Sequence, residues 1–369
     1  MSHVSDVNPV ESEPWRIAAR AHGARLAEAA PGHEASELVP MDVYRALGAD
    51  GLMAMHVRAE LGGAGLRVGD YAEAMMLIAA GCASTAVTMA VTNMVGEVLA
   101  AFADPAHSAR YCSQLAAGGL GGFALSETNA GSDPAGMRTR ATPLAGGGYR
   151  IDGDKQWISH GDRATVLVVW AQTERGISCF AVPGDAAGIS VVRKEEKLGL
   201  RASATCALAL ENVVVPEEAL MGEEGRGFRV AMMALDGGRI GIASQAIGIG
   251  ECAFAVLRRY VNEARPGQLA DFQLADCRTR LDAARLLVHQ AANLKQRGVP
   301  FTREASMAKL FATEASQLVC DLSAARVPLG HPGRATVERC QRDVRVTRIY
   351  EGTSEIQRHV IAREVMKSA

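Results

Sequence analysis

Two changes of texture, near Gly118 and near Gly227, constrain the fold of this 369-residue chain more than any single motif does. From Trp15 to about Ala117 the sequence is rich in Ala, Leu, Met and Glu. Ile17, Ala21, Leu26 and Ala29 recur at helical spacing, and Pro31-Gly32 is read as the end of that helix. Tyr71 to Ala80 and Ala86 to Phe102 read as buried helices. The glycine cluster Gly62-Gly63-Ala64-Gly65 between these helices and the first is a turn, since no strand–loop–helix frame surrounds it. After Gly118 the pattern shortens. Gly118–Glu127, Tyr149–Ile158, Ala164–Gln172, Ile177–Val182, Ile189–Arg193 and Thr205–Val215 are short runs with β-branched or aromatic residues, divided by Gly, Pro and Asp. Gly146-Gly147-Gly148 separates two of them as a hairpin would. They predict a small antiparallel barrel or sandwich. Beyond Gly227 helices return: Phe228–Leu235, Ile240–Val261, Leu281–Gln296 with Gly298 and Pro300 as its stop, and Arg303–Ala324. The fold class is therefore α+β, with an N-terminal helical domain (1–117), a central antiparallel β domain (118–221) and a C-terminal helical domain (222–369). That order suits a ligand held where domains meet.

Composition narrows the function. The formal charge is -2, from 39 basic and 41 acidic residues, with no block of one sign. That argues against nucleic-acid binding and against an anionic membrane surface. Eight scattered cysteines without a C-x-x-C pair support neither a zinc cluster nor a disulfide framework, and no metal site is expected. Met1 to Pro14 is polar and acidic, without the apolar centre of a signal peptide, and no run approaches a membrane span. A cytoplasmic, reduced enzyme acting on small molecules is the expectation.

Three stretches carry chemistry. Phe123-Ala124-Leu125-Ser126-Glu127-Thr128-Asn129-Ala130-Gly131-Ser132-Asp133 begins as a strand and turns, offering hydroxyls and backbone N–H groups to a heteroaromatic edge. In Lys155-Gln156-Trp157-Ile158-Ser159-His160-Gly161, Trp157 and Ser159 lie two apart on one face of a strand end, a stacking surface beside a polar tip. Ile349-Tyr350-Glu351-Gly352-Thr353-Ser354-Glu355-Ile356-Gln357-Arg358 sets a carboxylate and a flexible glycine ahead of a helix. Ser354 and Gln357 there form a capping-box pattern, and Ile356, Val360, Ile361 and Val365 continue a helix from about Glu355 to Met366. Such a helix start favours anions. Taken singly, each stretch reads as well as a turn, a core aromatic or a capped terminal helix.

Together, in this order, the three stretches resemble the acyl-CoA dehydrogenase family of flavoproteins. Lys197-Leu198-Gly199-Leu200-Arg201-Ala202-Ser203, Gly222-Glu223-Glu224-Gly225-Arg226-Gly227-Phe228 and Leu235-Asp236-Gly237-Gly238-Arg239-Ile240-Gly241 extend the resemblance from about Trp15 to the C-terminus. It implies a helical domain, a β domain and a C-terminal four-helix bundle with FAD between them. By position it places Phe123, Leu125 and Ser126 along the flavin ring, Trp157 over its dimethylbenzene side and Ser159 toward N5, with Ile158 among the cofactor contacts. Ser132 would meet cofactor or the substrate's pantetheine arm, with Asp236 and Arg239 farther along that arm. Thr353, with Glu355 and the helix start, would hold the FAD pyrophosphate. Glu351 matches the catalytic base, with Gly352 beside the substrate. The implied reaction is α,β-dehydrogenation of an acyl thioester, the α-proton going to Glu351 and hydride to flavin N5. Electrons would then pass to an electron-transfer flavoprotein or a similar acceptor.

Physical chemistry is consistent with that base. A thioester α-proton is weakly acidic, and a carboxylate at its usual pKa removes it poorly. Burial would raise Glu351 toward neutrality, more than the nearby helix end lowers it. Relatives that carry their base on the Leu235–Gly238 helix have a glutamate there, which this chain lacks. The glutaryl branch has an arginine near the position of Ala83. Two departures fall at the adenosine end of FAD. The family's Glu-Arg-x-x-Phe-Gly is replaced by Glu263-Ala264-Arg265-Pro266-Gly267-Gln268, leaving Arg265 and Gln273 as substitute contacts. The Gln-x-x-Gly-Gly-x-Gly motif becomes Val327-Pro328-Leu329-Gly330-His331-Pro332-Gly333. His160 stands where asparagine is common. These changes suggest weaker FAD retention and a homo-oligomer that is a dimer rather than the usual tetramer. They also leave room for an acyl- or aminoacyl-carrier-protein substrate in place of acyl-CoA. A non-catalytic binding relative is the alternative of a different class.

Overall fold

The computed structural model describes residues 13–367, so most of the polar leader, residues 1–12, lies outside the described residues. Five helices come first: α1 (Pro14–Ser36), α2 (Met41–Ala49), α3 (Val68–Gly81), α4 (Ala83–Phe102) and α5 (Pro105–Ala116). Seven strands follow: β1 (Gly121–Ala124), β2 (Arg140–Pro143), β3 (Tyr149–Ser159), β4 (Val166–Thr173), β5 (Gly176–Pro183), β6 (Ile189–Lys194) and β7 (Thr205–Val215). Then come α6 (Gly227–Ala264), α7 (Gln268–Gln296), α8 (Thr302–Arg326), α9 (Arg334–Val344) and α10 (Ser354–Lys367). The α–β–α order is the one expected.

Several boundaries differ from the sequence reading. Helix α1 runs through Pro31 to Ser36 and ends at Glu37 in the left-handed region, φ 52°. Pro31 forfeits a single backbone bond there, and its fixed φ is itself helical. The two segments expected on either side of Asp236 are one helix, α6, because Gly237 and Gly238 face close neighbours instead of breaking the chain. Strand β2 and helix α9 carried too little pattern to be anticipated. The sheet is mixed in its pairing: β3–β7, β7–β6, β4–β5 and β2–β3 are antiparallel, while β1 and β2 run parallel to β4. Forty-one residues separate Ala124 from Val166, long enough for the crossover that parallel pairing needs. By length and apolarity α4 and α6 would qualify as membrane spans, contrary to the sequence reading. In each, however, 78% of the apolar window is buried within the protein, so both serve as core helices.

The packing brings α4 and α6 side by side. Val91, Met94, Val95 and Val98 of α4 share one apolar cluster with Val230, Ala231 and Ala234 of α6. The same cluster includes Leu125, Val168 and Trp170 from the β domain. The Trp170 indole N–H donates to the Gly227 carbonyl at 2.8 Å, which ties the start of α6 to the sheet. Seven of the eight cysteines are buried free thiols in these interiors.

A buried ion pair fastens the first two motif stretches together. Lys155 Nζ, on β3, donates to Glu127 Oε1 at 2.9 Å and to the Leu125 carbonyl at 3.3 Å. Glu127 also accepts from the Arg138 and Thr139 N–H groups, at 2.6 and 3.1 Å. Burial pulls the Lys155 ammonium down to about 8, and Glu127 opposes that fall. Burial alone would raise Glu127, but Lys155 and the donors around it hold it below the usual carboxylate range. Lys155→Met strands a buried carboxylate and is expected to cost about 3–5 kcal/mol of stability, measured by urea unfolding. Adding Glu127→Leu should recover much of that loss.

Candidate active site

The closing segment folds into a tight loop between a 3₁₀ turn (Arg345–Arg348) and α10. Glu351 and Gly352 both adopt positive φ, 54° and 90°. Gly352 has no alternative, because a Cβ there would lie 2.6 Å from Gln357 Nε2. Thr353, rather than Ser354, caps α10: its Oγ1 accepts from the Ile356 N–H at 3.3 Å. Ser354 is already helical and donates to Glu314 at 2.9 Å. Gln357 does not close a capping box. Its amide donates to the Glu351 carbonyl at 3.1 Å and to the Gly352 carbonyl at 2.9 Å, holding the loop from inside. Tyr350 hydrogen-bonds Gln245 of α6, whose amide reaches the Ala83 carbonyl of α4 at 2.9 Å.

This loop points the Glu351 carboxylate at α6. A Cβ built on Gly238 would lie 2.8 Å from Glu351 Oε2 and 3.0 Å from Met94 Sδ. A side chain at 238 and this carboxylate therefore compete for one space. Glu351 Oε2 is buried without a hydrogen-bond partner among the described residues. Burial raises the group to about 7, against the pull of Arg239 and Lys309. This is the direction a proton-abstracting carboxylate requires.

Lys309 escaped the sequence reading. It is fully buried on α8, and its Nζ donates to the Gly352 carbonyl at 2.7 Å. Burial lowers it to about 7, while Glu351 raises it. Each of the two thus favours the other's charged form against the effect of burial. The available signal was a lysine within the small-residue stripe Ala305, Ala308, Ala312, where a solvated residue is out of place.

Asp236 and Arg239 are paired with each other on α6. Arg239 Nη1 donates to Asp236 Oδ1 at 2.5 Å and to Ser306 at 3.2 Å, and Thr302 donates to Asp236 Oδ2 at 2.5 Å. Arg239 is buried and exerts its charge on Glu351.

The two β-domain stretches lie side by side, since the Gln156 N–H donates to the Ser126 carbonyl at 2.9 Å. Trp157 has positive φ, 64°, beside a bulge between Lys155 and Ile158, and its side chain is 59% exposed. Ser159 is half-buried on the same face. Ile158 faces the β-domain core, leaving only its backbone toward that face. Phe123 is half-buried and packs on Trp170, Leu125 is buried, Ser126 is half-buried, and Ser132 is exposed in the following loop. His160 is not a free loop residue. Its Nε2 lies 2.7 Å from Thr88 Oγ1 and 3.3 Å from Ser203 Oγ, and burial lowers it to about 3, so it stays neutral.

Arg265 and Gln273 are not brought to this cleft. Arg265 ends α6 in the left-handed region, φ 44°, and bonds Asn262. It lies about 39 Å along α6 from Arg239. Gln273 sits in the second turn of α7 with Oε1 buried and unpartnered. Glu355 is exposed on α10, its carboxylate held low by its own N–H and by Thr353.

A raised, unpartnered carboxylate facing the bare backbone of α6 is an arrangement suited to taking a proton. The acyl-CoA dehydrogenase N-terminal domain pattern matches residues 15–119, the middle domain pattern 122–213 and the C-terminal domain pattern 225–366. The chain belongs to the acyl-CoA dehydrogenase family. Among relatives, it is 42% identical to the mitochondrial short-chain specific acyl-CoA dehydrogenase of Bos taurus over 345 residues, 89% of this chain and 83% of that protein. The solved butyryl-CoA dehydrogenase from Megasphaera elsdenii superposes with a TM-score of 0.91 at 33% identity, covering 95% of this chain and 97% of that one. A glutaryl-CoA dehydrogenase from Mycobacterium smegmatis in complex with FADH2 gives 0.88 at 26% identity, covering 98% and 97%.

Replacing Lys309 by Met removes both the counter-charge and the grip on Gly352. The pH midpoint for turnover is expected to move upward, with about a tenfold fall in kcat at pH 7. Lys309→Arg, which keeps the charge, should leave the midpoint nearer that of the parent. A pH–rate series on the three proteins checks both.

Proposed function

We propose that this protein oxidises a short acyl-CoA to the 2-enoyl-CoA, with FAD as its cofactor and Glu351 as the base that takes the α-proton. The observation that carries this reading is the Glu351 carboxylate, raised to about 7 and unpartnered against Gly238. Lys309 and Gln357 fix the loop so that the carboxylate keeps one direction. The Glu351 N–H, on the same strained loop, is suited to donate to the thioester carbonyl as charge develops there.

The residues present fit FAD. Trp157, exposed at positive φ, offers a stacking face, and Ser126 and Ser159 offer polar groups beside it. Thr353 and the first turn of α10 offer N–H groups to a phosphate. When bound, FAD supplies the two-electron acceptor for the hydrogen leaving the β-carbon. Phe123 and Leu125 would exclude water on the β-domain side. Ser132, exposed, is free to meet the substrate's arm, with Gly352 at the thioester end. Arg265 and Gln273 would serve the adenosine end.

The three domains are taken as 1–117, 118–221 and 222–369. We read the protein as a cytoplasmic homo-oligomer that passes electrons to an electron-transfer flavoprotein. An acyl-carrier-protein substrate is the second reading, favoured by the altered Val327–Gly333 segment, where Leu329 is 81% exposed.

Glu351→Gln is expected to keep FAD and to lose at least about 10³-fold in the rate of flavin bleaching by butyryl-CoA under anaerobic conditions. In the parent protein that rate should rise with pH through about 7 as Glu351 ionises. Full activity in the variant would rule out this base. Purification without added FAD, followed by absorbance and mass measurement, is expected to give a partly loaded dimer. A fully loaded tetramer would show that the altered adenosine end has no such effect.

A further inference from the structure

Beside the base, α6 presents three glycines, and polar atoms from four other segments meet them. Gly238 faces the Glu351 carboxylate. One residue earlier, a Cβ on Gly237 would lie 2.7 Å from Lys295 Nζ and 3.3 Å from Glu97 Oε2. One turn on, a Cβ on Gly241 would run into the Tyr71 hydroxyl. Gly238 and Gly241 are about 4.5 Å apart along the axis, a distance that a short acyl chain spans.

These polar groups are not spent on the fold. Tyr71 is only 3% exposed, and its hydroxyl has no hydrogen-bond partner among the described residues. Its oxygen is nevertheless not fully enclosed. A buried hydroxyl without a partner is uncommon and calls for an explanation. Lys295 Nζ has Glu97 Oε1 at 2.5 Å, which leaves further ammonium protons unassigned. The His56 ring packs tilted against that of Tyr71, 4.3 Å between ring centres. Burial lowers His56 to about 4, so it is neutral, and Lys295 holds Glu97 below the usual carboxylate range despite its burial. His56 and Glu97 are half-buried, not fully enclosed.

The chemistry of the occupant follows from the donor set. Glu97 accepts, Lys295 donates and Tyr71 does either. The charges of Glu97 and Lys295 cancel, and His56 adds none. A carboxylate would meet Glu97, and an ammonium would meet Lys295. A hydroxyl satisfies both without bringing a charge. Around it, Met75, Met89, Ala90 and Ile242 share an apolar cluster with Tyr71 and suit a short carbon chain.

We propose that the preferred acyl group is short and carries a hydroxyl beyond its β-carbon, received by Tyr71 and the Glu97–Lys295 pair. The proposal rests on the dehydrogenase reading above. The β-carbon gives up a hydrogen in that reaction, so the hydroxyl belongs at the γ-position or farther out.

The test compares anaerobic flavin bleaching of the FAD-loaded enzyme by butyryl and 4-hydroxybutyryl thioesters. Each acyl group is offered on CoA and on a phosphopantetheinylated carrier protein. The hydroxylated group is expected to be favoured in kcat/KM by at least about tenfold, and Tyr71→Phe should bring that ratio close to one. The ratio in the parent enzyme needs no variant, so a misfolded mutant cannot mask the result. Bleaching by butyryl thioesters with no gain for the hydroxylated ones overturns the subsite and leaves the reaction standing. A preference that survives Tyr71→Phe also overturns it. No bleaching by any of the four thioesters overturns the dehydrogenase reading and the subsite together.

Discussion

The contact between the Glu351 carboxylate and the bare backbone of α6 at Gly238 sets the terms for the rest of the site. It requires a residue without a side chain in mid-helix and a left-handed turn at two successive positions in the opposing loop. It also requires donors strong enough to hold that loop, which Lys309 and Gln357 provide. Each element costs stability on its own: a helical glycine, a strained glutamate, a lysine with no water around it. Their arrangement offsets the costs by letting the buried charges face each other. Arg239 and Lys309 keep the glutamate from drifting higher, so its proton remains exchangeable near neutrality.

Much of the architecture was legible because helix and strand periods leave different marks. Six of the seven strands fell where alternation placed them, and α3, α4 and α8 where apolar spacing did, while α7 starts at Gln268, well ahead of the expected Leu281. The failures share a cause. Pro31 and the Asp236-Gly237-Gly238 step were read as breaks by local rules, but tertiary packing keeps both within helices. Strand β2, four residues long, and α9, polar on most faces, gave little signal. The parallel β1–β4 pairing depends on a crossover that no local pattern records.

The site was legible only along one line of the chain. Glu351, Trp157 and Ser126 sit in contiguous motifs, so a resemblance could nominate them. Lys309, Tyr71, Glu97, Lys295 and His56 come from five separate segments, and nothing short of the folded chain brings them to one turn of α6. The capping pattern at Ser354 and Gln357 shows the converse. The residue types were right for a cap, but Thr353 took that role and Gln357 turned inward to the base loop.

Helix α6 has a property that follows from its glycines. Six of its 38 residues are glycine, and each lowers intrinsic helix stability by about 1 kcal/mol relative to alanine. A free peptide of this sequence would hold its helix poorly. Its helical course is supported by packing on α3, α4 and α8 and by the indole that grips Gly227. The helix that the Glu351 carboxylate faces is therefore a product of its surroundings, and loosening any one of those neighbours would blur the aim of a carboxylate that none of them carries.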